Sequence, residues 1–301
     1  MVNMSILFLQ DYNFLAQPGG GAELSDGLIF AYGLEIGHNV NLMTSEQATL
    51  DNIEAYDCLI VSNATRFKEQ FLFELMSRAN KTVYYIHDFW DICKWRLYKN
   101  NRETCRTKCP RMNSFGKQFW GNVDGAVWLS PKHRESYLFS MPELESYPYL
   151  LMPSPIDVTE IDAIKEEIKR IPNTVIGANV LPFKGSKEIL KYCRVQQEYT
   201  FNFVGGEPEN VSEFPSNVNF IGRVNHKDIY RLMKSHEFAI ELPTTIQPFE
   251  RFISEASLCG CKIIGNDNIG AMSYPWFDDY NEHKKRVFTS PKLFWKFVEE
   301  L

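Results

Sequence analysis

Four short stretches of this 301-residue chain carry side chains and glycines suited to handling a phosphorylated ligand. The first is Gly19-Gly20-Gly21-Ala22-Glu23-Leu24, which follows the apolar run Ser5–Leu9 and opens a helical pattern. Without Cβ atoms the backbone N–H groups can approach a diphosphate closely, and the amino end of a helix adds partial positive charge. A flexible loop would also use these residues, because the third glycine of the dinucleotide fingerprint is missing. The second stretch, His87-Asp88, closes the apolar run Thr82–Ile86. A histidine at the carboxyl end of a parallel strand can bond a sugar hydroxyl or a phosphate, or be satisfied by local backbone. The third is Lys184-Gly185, a cation at a helix start that would offset charge developing on a leaving diphosphate; a solvated surface lysine is the plain alternative. The fourth runs from Leu242 to Gly260 and contains Gln247 in a loop and Glu255 in an apolar helix. A carboxylate at Glu255 needs a partner if buried, and paired ribose hydroxyls would serve.

The elements around these residues alternate between strand and helix almost throughout. Ser5–Leu9, Val40–Met43, Cys58–Ser62, Thr82–Ile86 and Gly125–Leu129 read as strands. Leu24, Leu28, Ala31 and Leu34 recur at helical spacing, and Phe67–Ala79 forms another helical pattern. Pro153-Ser-Pro155 and Pro172 bracket a charged helical run, Glu160–Arg170, which reads as the link between domains. The second half repeats the grammar with strands at Thr174–Val180, Thr200–Val204, Val218–Ile221, Phe238–Leu242 and Cys261–Ile264. Its helices are expected at Lys187–Cys193, Asp228–Lys234 and Phe249–Leu258, with a last amphipathic helix at Pro291–Leu301. The pattern predicts an α/β chain of two doubly wound, Rossmann-like domains, residues 1–156 and 157–301, with ligands at the carboxyl ends of strands. The last helix is a candidate for packing back on the first domain.

Composition narrows the function classes. The formal net charge of −6 argues against nucleic acid as a partner, since phosphate neutralisation needs a clustered basic surface. No run reaches the ~20 apolar residues of a membrane span, and the first residues lack the basic start of a secretory signal, so the cytoplasm is the expected compartment. Seven cysteines in an irregular set suit reduced thiols. Cys93, Cys105 and Cys109 lack a fourth ligand for zinc, and neither Asp88 with Asp91 nor Asp278 with Asp279 makes a convincing metal site.

The ordered set of motifs resembles the family 4 retaining glycosyltransferases, which have the GT-B fold of two Rossmann-like domains facing a cleft. Gly20-Gly21, Gly37-His38-Asn39-Val40 and His87-Asp88 match the first domain of that family in order. Lys184-Gly185, Val204-Gly205-Gly206, Phe220-Ile221-Gly222 and Pro248-Phe249 leading into Glu255-Ala256 match the second. The resemblance spans nearly the whole chain. It implies transfer of a sugar from a nucleotide-diphosphate sugar with retention and without a metal or other cofactor. His87, Lys184 and Gln247 would act on the transferred sugar and phosphates. Gly20, Gly21, Asn179, Gly205, Gly206, Gly222, Arg223, Phe249, Glu250, Arg251 and Glu255 would hold the donor.

Three positions depart from the family pattern. Gln247 stands where a glutamate is usual, Glu250 replaces a glycine, and Ala178-Asn179 occupies the stretch of a usual arginine, whose charge Arg223 or Arg251 would have to supply. A nucleotide-binding scaffold without catalysis and a nucleotide-sugar epimerase therefore stay open beside the transferase. The acceptor is a glycan, lipid-linked or small molecule, with peripheral membrane contact left open. Residues 91–123 are rich in Trp, Tyr, Arg and Lys and suit either sugar stacking or core packing.

Overall fold

A computed structural model describes residues 3–16, 19–51, 53–93, 95–96, 109–178, 181–205 and 213–301. The chain divides into two compact units, Met1–Ile156 with Arg286–Leu301 (unit 1) and Asp157–Lys285 (unit 2). Among the described residues no helix is long and apolar enough to cross a membrane.

Unit 1 is built on a parallel sheet of six strands: β1 (Ser5–Gln10), β2 (Asn39–Thr44), β3 (Cys58–Asn63), β4 (Thr82–Tyr85), β5 (Gly125–Trp128) and β6 (Tyr149–Leu151). Their order is β2-β1-β3-β4-β5-β6, so the direction of winding reverses between β1 and β3. β3, β4 and β5 are buried at every position, as expected of parallel strands covered on both faces. The short strand β6 was not anticipated from sequence. Helices α1 (Gly21–Glu35), α2 (Glu69–Arg78), α3 (Lys117–Trp120) and α4 (Pro131–Ser140) lie between strands. α4 starts where its residues dictate. Ser130 accepts a hydrogen bond from the His133 amide at 3.1 Å, and Pro131 takes the first helical position, where its missing N–H costs nothing.

The buried face of α1 differs from the expected one. Ser25, Asp26, Ile29, Phe30 and Gly33 point inward, whereas Leu34 is exposed. The reason is a ring: a Cβ at Gly33 would lie 2.3 Å from Trp295, whose indole Nε1 donates to the Ile29 carbonyl at 2.8 Å. Trp295 belongs to the last helix, which runs from Tyr280 to Glu300 rather than starting at Pro291. A helical proline cannot donate to the carbonyl four residues back. Here that carbonyl, of Val287, accepts instead from Ser290 Oγ at 2.7 Å and from the Ile156 amide at 3.4 Å.

Unit 2 holds β7 (Ile171–Gly177), β8 (Thr200–Val204), β9 (Val218–Gly222), β10 (His236–Ile240) and β11 (Lys262–Ile264), all parallel in the order β11-β10-β7-β8-β9. Its winding reverses between β7 and β10. The helices are α5 (Val158–Asp162), α6 (Ser186–Val195), α7 (His226–Ser235) and α8 (Arg251–Leu258), and the last helix, α9 (Tyr280–Glu300), begins here. The expected helix Glu160–Arg170 ends at Asp162. Lys234 Nζ takes the carbonyls of Ile161 and Ile164, at 2.8 and 3.2 Å, in place of further helical amides. Arg170 reaches across to the carbonyls of His236 and Cys259. The stretch Pro153–Ile156 is buried in unit 1, with Ser154 Oγ 2.5 Å from Ser25 Oγ.

Candidate functional site

In unit 2 the chemistry collects where the sheet reverses. Gly185 follows β7 with φ 83°, and a Cβ there would sit 1.7 Å from the Leu242 carbonyl oxygen, so only glycine allows this approach. The approach brings Lys184 beside the carboxyl end of β10. Its Nζ lies 3.1 Å from Glu241 Oε1 and pairs directly with Glu250 Oε2. Glu241 is 2% exposed and neither carboxylate oxygen has an aligned hydrogen-bond donor among the described residues. Burial and the neighbouring Glu250 charge push its carboxyl up to about 8, against the pull of Lys184. Burial would lower the Lys184 ammonium, but Glu250 and then Glu241 outweigh it and hold it above the ordinary lysine range.

Glu250 sits at φ 73°, in the left-handed region, directly before α8. The resemblance had a glycine at this position, and the backbone explains why: a non-glycine residue is strained there. The same conformation starts α8 at Arg251 rather than at Phe249. Phe249 is buried and its carbonyl accepts from the Ala271 amide at 2.7 Å. Glu255, 6% exposed, has a protein partner where ribose hydroxyls were expected to serve. Arg251 Nη2 is 2.8 Å away, and the Tyr230 hydroxyl is 3.5 Å away. Gln247 turns its amide back onto Thr245, donating to the carbonyl and the hydroxyl at 3.2 Å each. Gly205 and Gly222 end β8 and β9 with φ 105° and 83°, joined by an amide-to-carbonyl bond of 2.8 Å. Arg223 follows, exposed. Asn179 and Gly206 lie outside the described residues.

Unit 1 has its own polar centre at the reversal between β1 and β3. Asp26 on α1 is fully buried. Its Oδ1 is 2.8 Å from His87 Nε2, while Oδ2 accepts from Ser62 Oγ at 2.7 Å and from the Gln10 amide group. With Asp26 accepting, His87 carries its hydrogen on Nε2 and presents Nδ1 as an acceptor. Such an imidazole can hold a sugar hydroxyl in one orientation. Gly20 precedes α1 as its cap residue and Gly21 opens it, about one and a half turns from Asp26. His38, the histidine of the Gly-His-x-Val match, is structural. It accepts from the Met4 amide at 3.2 Å, packs on Trp295, and lies 3.2 Å from Glu299. Asp91 is a buried node that accepts from Trp120 Nε1, Tyr84 and Tyr137, with its carboxyl raised by burial to about 6. Trp120 and Phe119 in the aromatic segment are core, Trp120 stacking on Trp128 at 5.9 Å. Cys93 and Cys109 form no disulfide, Cys109 donating to the Ile92 carbonyl at 3.3 Å, and Cys105 is outside the described residues.

Two site residues escaped the sequence reading. Asp26 was missed because the apolar face of α1 was set one step out of register. Glu241 was hidden inside the strand pattern Phe238–Leu242, where a lone carboxylate after three apolar residues was the available signal.

Comparison with family models and with curated proteins finds no match to the sequence. Solved structures do match, over nearly the full chain. AviGT4, a glycosyltransferase involved in avilamycin A biosynthesis, superposes with a TM-score of 0.64 at 13% identity, covering 99% of this chain and 98% of that one. HepE from Anabaena, in complex with UDP and glucose, gives 0.60 at 16% identity, covering 99% and 100%. An α-glucosyltransferase in complex with UDP and a 13-mer DNA containing a HMU base gives 0.60 at 12%, covering 99% and 94%. At these identities the likeness establishes architecture: the chain has the GT-B fold.

Proposed function

We propose that the chain is a glycosyltransferase that moves a sugar from a nucleotide-diphosphate sugar to an acceptor hydroxyl, with retention and without a metal ion. The observation that carries this reading is the position of Lys184 at the reversal of the unit 2 sheet, beside the uncapped amino end of α6 and in line with the left-handed glycines that end β8 and β9. Open α/β sheets bind ligands at this place. The GT-B neighbours whose descriptions name UDP support the ligand class. In this reading the C1–O bond to the diphosphate breaks as the acceptor oxygen bonds C1, and the acceptor proton passes to the departing phosphate oxygen. Lys184 and the α6 amides meet the charge that develops there. His87 orients a sugar hydroxyl through Nδ1. The acceptor is a glycan, lipid-linked or small molecule, and the net charge of −6 disfavours nucleic acid in that role.

The decisive experiment is calorimetric titration with UDP, GDP, ADP and dTDP, with and without chelator. At least one should bind equally well in both conditions; binding by none of them would sink the reading. The configuration of the product, read by NMR, tests retention, and an inverted product would assign the acceptor proton to His87 instead. A second reading has a specific observation in its favour: Lys184 is already paired with Glu250, with Glu241 3.1 Å away. A nucleotide-binding scaffold would tolerate that, and it predicts nucleotide binding with neither donor hydrolysis nor transfer. Interconversion of the donor without an acceptor would identify an epimerase.

A further inference from the structure

Unused by the reading above, a cavity of about 350 Å³ opens in unit 1 beyond the carboxyl ends of β3 and β4. Its wall includes Thr65, Lys68, Trp90, Arg96, Arg111 and Phe115. The volume is at the lower end of the range for small-molecule sites, roughly 300–1,000 Å³, which suits one sugar ring with a substituent.

The charge on this wall is one-sided. Three cations line it, and the one carboxylate among its lining residues, Glu69, is largely exposed and held by Arg111 at 2.7 Å. Arg96 pairs with Asp88 from a left-handed backbone position, φ 56°. Lys68 forms no ion pair among the described residues. It is also the residue that precedes α2, whose first turn has no side-chain cap, so the positive end of a ten-residue helix meets the cavity at the same place.

The polar surface is unfinished in a second way. Trp90 is 4% exposed, and its indole Nε1–H is buried without a partner among the described residues. A buried donor left unpaired is unfavourable, so a ligand that settles against the ring and accepts this hydrogen gains affinity. Part of the wall is held in place. Asp11 accepts from the Thr65 and Arg66 amides at 3.1 and 2.8 Å, and Arg111 Nε donates to the Trp90 carbonyl at 2.8 Å while its guanidinium lies 4.0 Å over Phe115. The held guanidinium of Arg111 and the aromatic faces need little reorganisation to receive a ligand.

We infer that this cavity binds a sugar bearing an oxyanion, either phosphate or carboxylate, with the oxyanion against Lys68 and the amino end of α2 and the ring against Trp90 and Phe115. Its role as the acceptor subsite rests on the glycosyl-transfer reading; the binding itself does not. The test is calorimetric titration of the full chain, without nucleotide and at low salt, using glucose 6-phosphate, glucuronate and glucose. At least one of the two acids binds at least about tenfold more tightly than glucose, the scale of one charge-assisted hydrogen bond, and loses affinity as salt is raised. Which acid binds tells phosphate from carboxylate. Lys68→Gln, an exposed change, weakens the acid about tenfold, and Trp90→Phe, which keeps a ring but removes the donor, weakens it severalfold. Nucleoside diphosphate titrations of both variants match the unaltered chain, so failure of the donor reading and failure of this one are separable. Equal binding of glucose, acid binding indifferent to Lys68→Gln, or no binding of either acid would each overturn the inference.

Discussion

At the scale of single residues, the unit 2 site is a cation whose charge is already committed. In the proposed reading a diphosphate would have to take Lys184 away from Glu250, and Glu250 holds its place from a strained backbone position. Glu250→Gly should therefore bind nucleoside diphosphate about tenfold more tightly, since it removes a competing carboxylate. Calorimetry on the variant decides this, and unchanged affinity would show that Glu250 does not compete. The Glu241 carboxyl adds a pH dependence. Its pKa of about 8 in the fold exceeds the ordinary 4.5, so the native state holds the proton more tightly than the unfolded chain. The stabilisation is complete below about pH 4.5 and is lost as pH rises towards 8. Unfolding midpoints should fall between pH 5 and 9, and Glu241→Gln should flatten that trend. Affinity for diphosphate should fall over the upper part of the same window, as the second carboxylate beside Lys184 ionises. In unit 1, Asp26→Asn replaces the acceptor of the His87 hydrogen with a group that can donate, which disturbs the tautomer. In the proposed reading turnover should drop by about tenfold or more, the scale of one hydrogen bond to the sugar held out of place, with donor affinity little changed. A melting curve beside the kinetics separates this from loss of fold.

At the scale of elements, the strands were the most legible part. Their apolar runs are long because both faces of a parallel sheet are covered, and most strand limits agree with the pattern to within a few residues. The helices were less so, for reasons specific to each. α1 was read one face out because Gly33, which carries no hydrophobic signal, is the point where Trp295 packs. Glu160–Arg170 has helical spacing, but Lys234 and Arg170 supply hydrogen bonds that compete with the helix, and those come from tertiary partners. Pro291 looked like a helix start because its own lost bond is visible in sequence, while the Ser290 hydroxyl that takes over the Val287 carbonyl is visible only in the fold. The site follows the same rule. Lys184 and the glycine turns could be read from order and spacing, whereas Glu241 and Asp26 become recognisable only once the strands that carry their partners are aligned. Gly185→Ala tests an element junction directly. Its Cβ would collide with the Leu242 carbonyl, so the loop after β7 must move away from β10. A loss of about 2 kcal/mol or more in urea unfolding is expected, together with weaker nucleotide binding.

At the scale of the whole molecule, unit 1 depends on residues distant in sequence. Phe294, Trp295 and Val298 are buried, and a Cβ at Gly125 would meet Leu301 at 2.6 Å. Trp295→Ala should cost about 3–5 kcal/mol in unfolding free energy, because it empties a large volume and removes the indole hydrogen bond to the Ile29 carbonyl. Urea unfolding of that variant should show the loss in the transition that reports unit 1. This dependence also sets an order in time. Unit 2 is one continuous stretch of chain, Asp157–Lys285, while unit 1 is interrupted by it. During synthesis the first half of the chain emerges without the helix that fills its core, and it must wait until the whole of unit 2 has followed. The amino-terminal unit is thus the later of the two to complete its fold on the ribosome, against the usual order in which domains mature from the amino end.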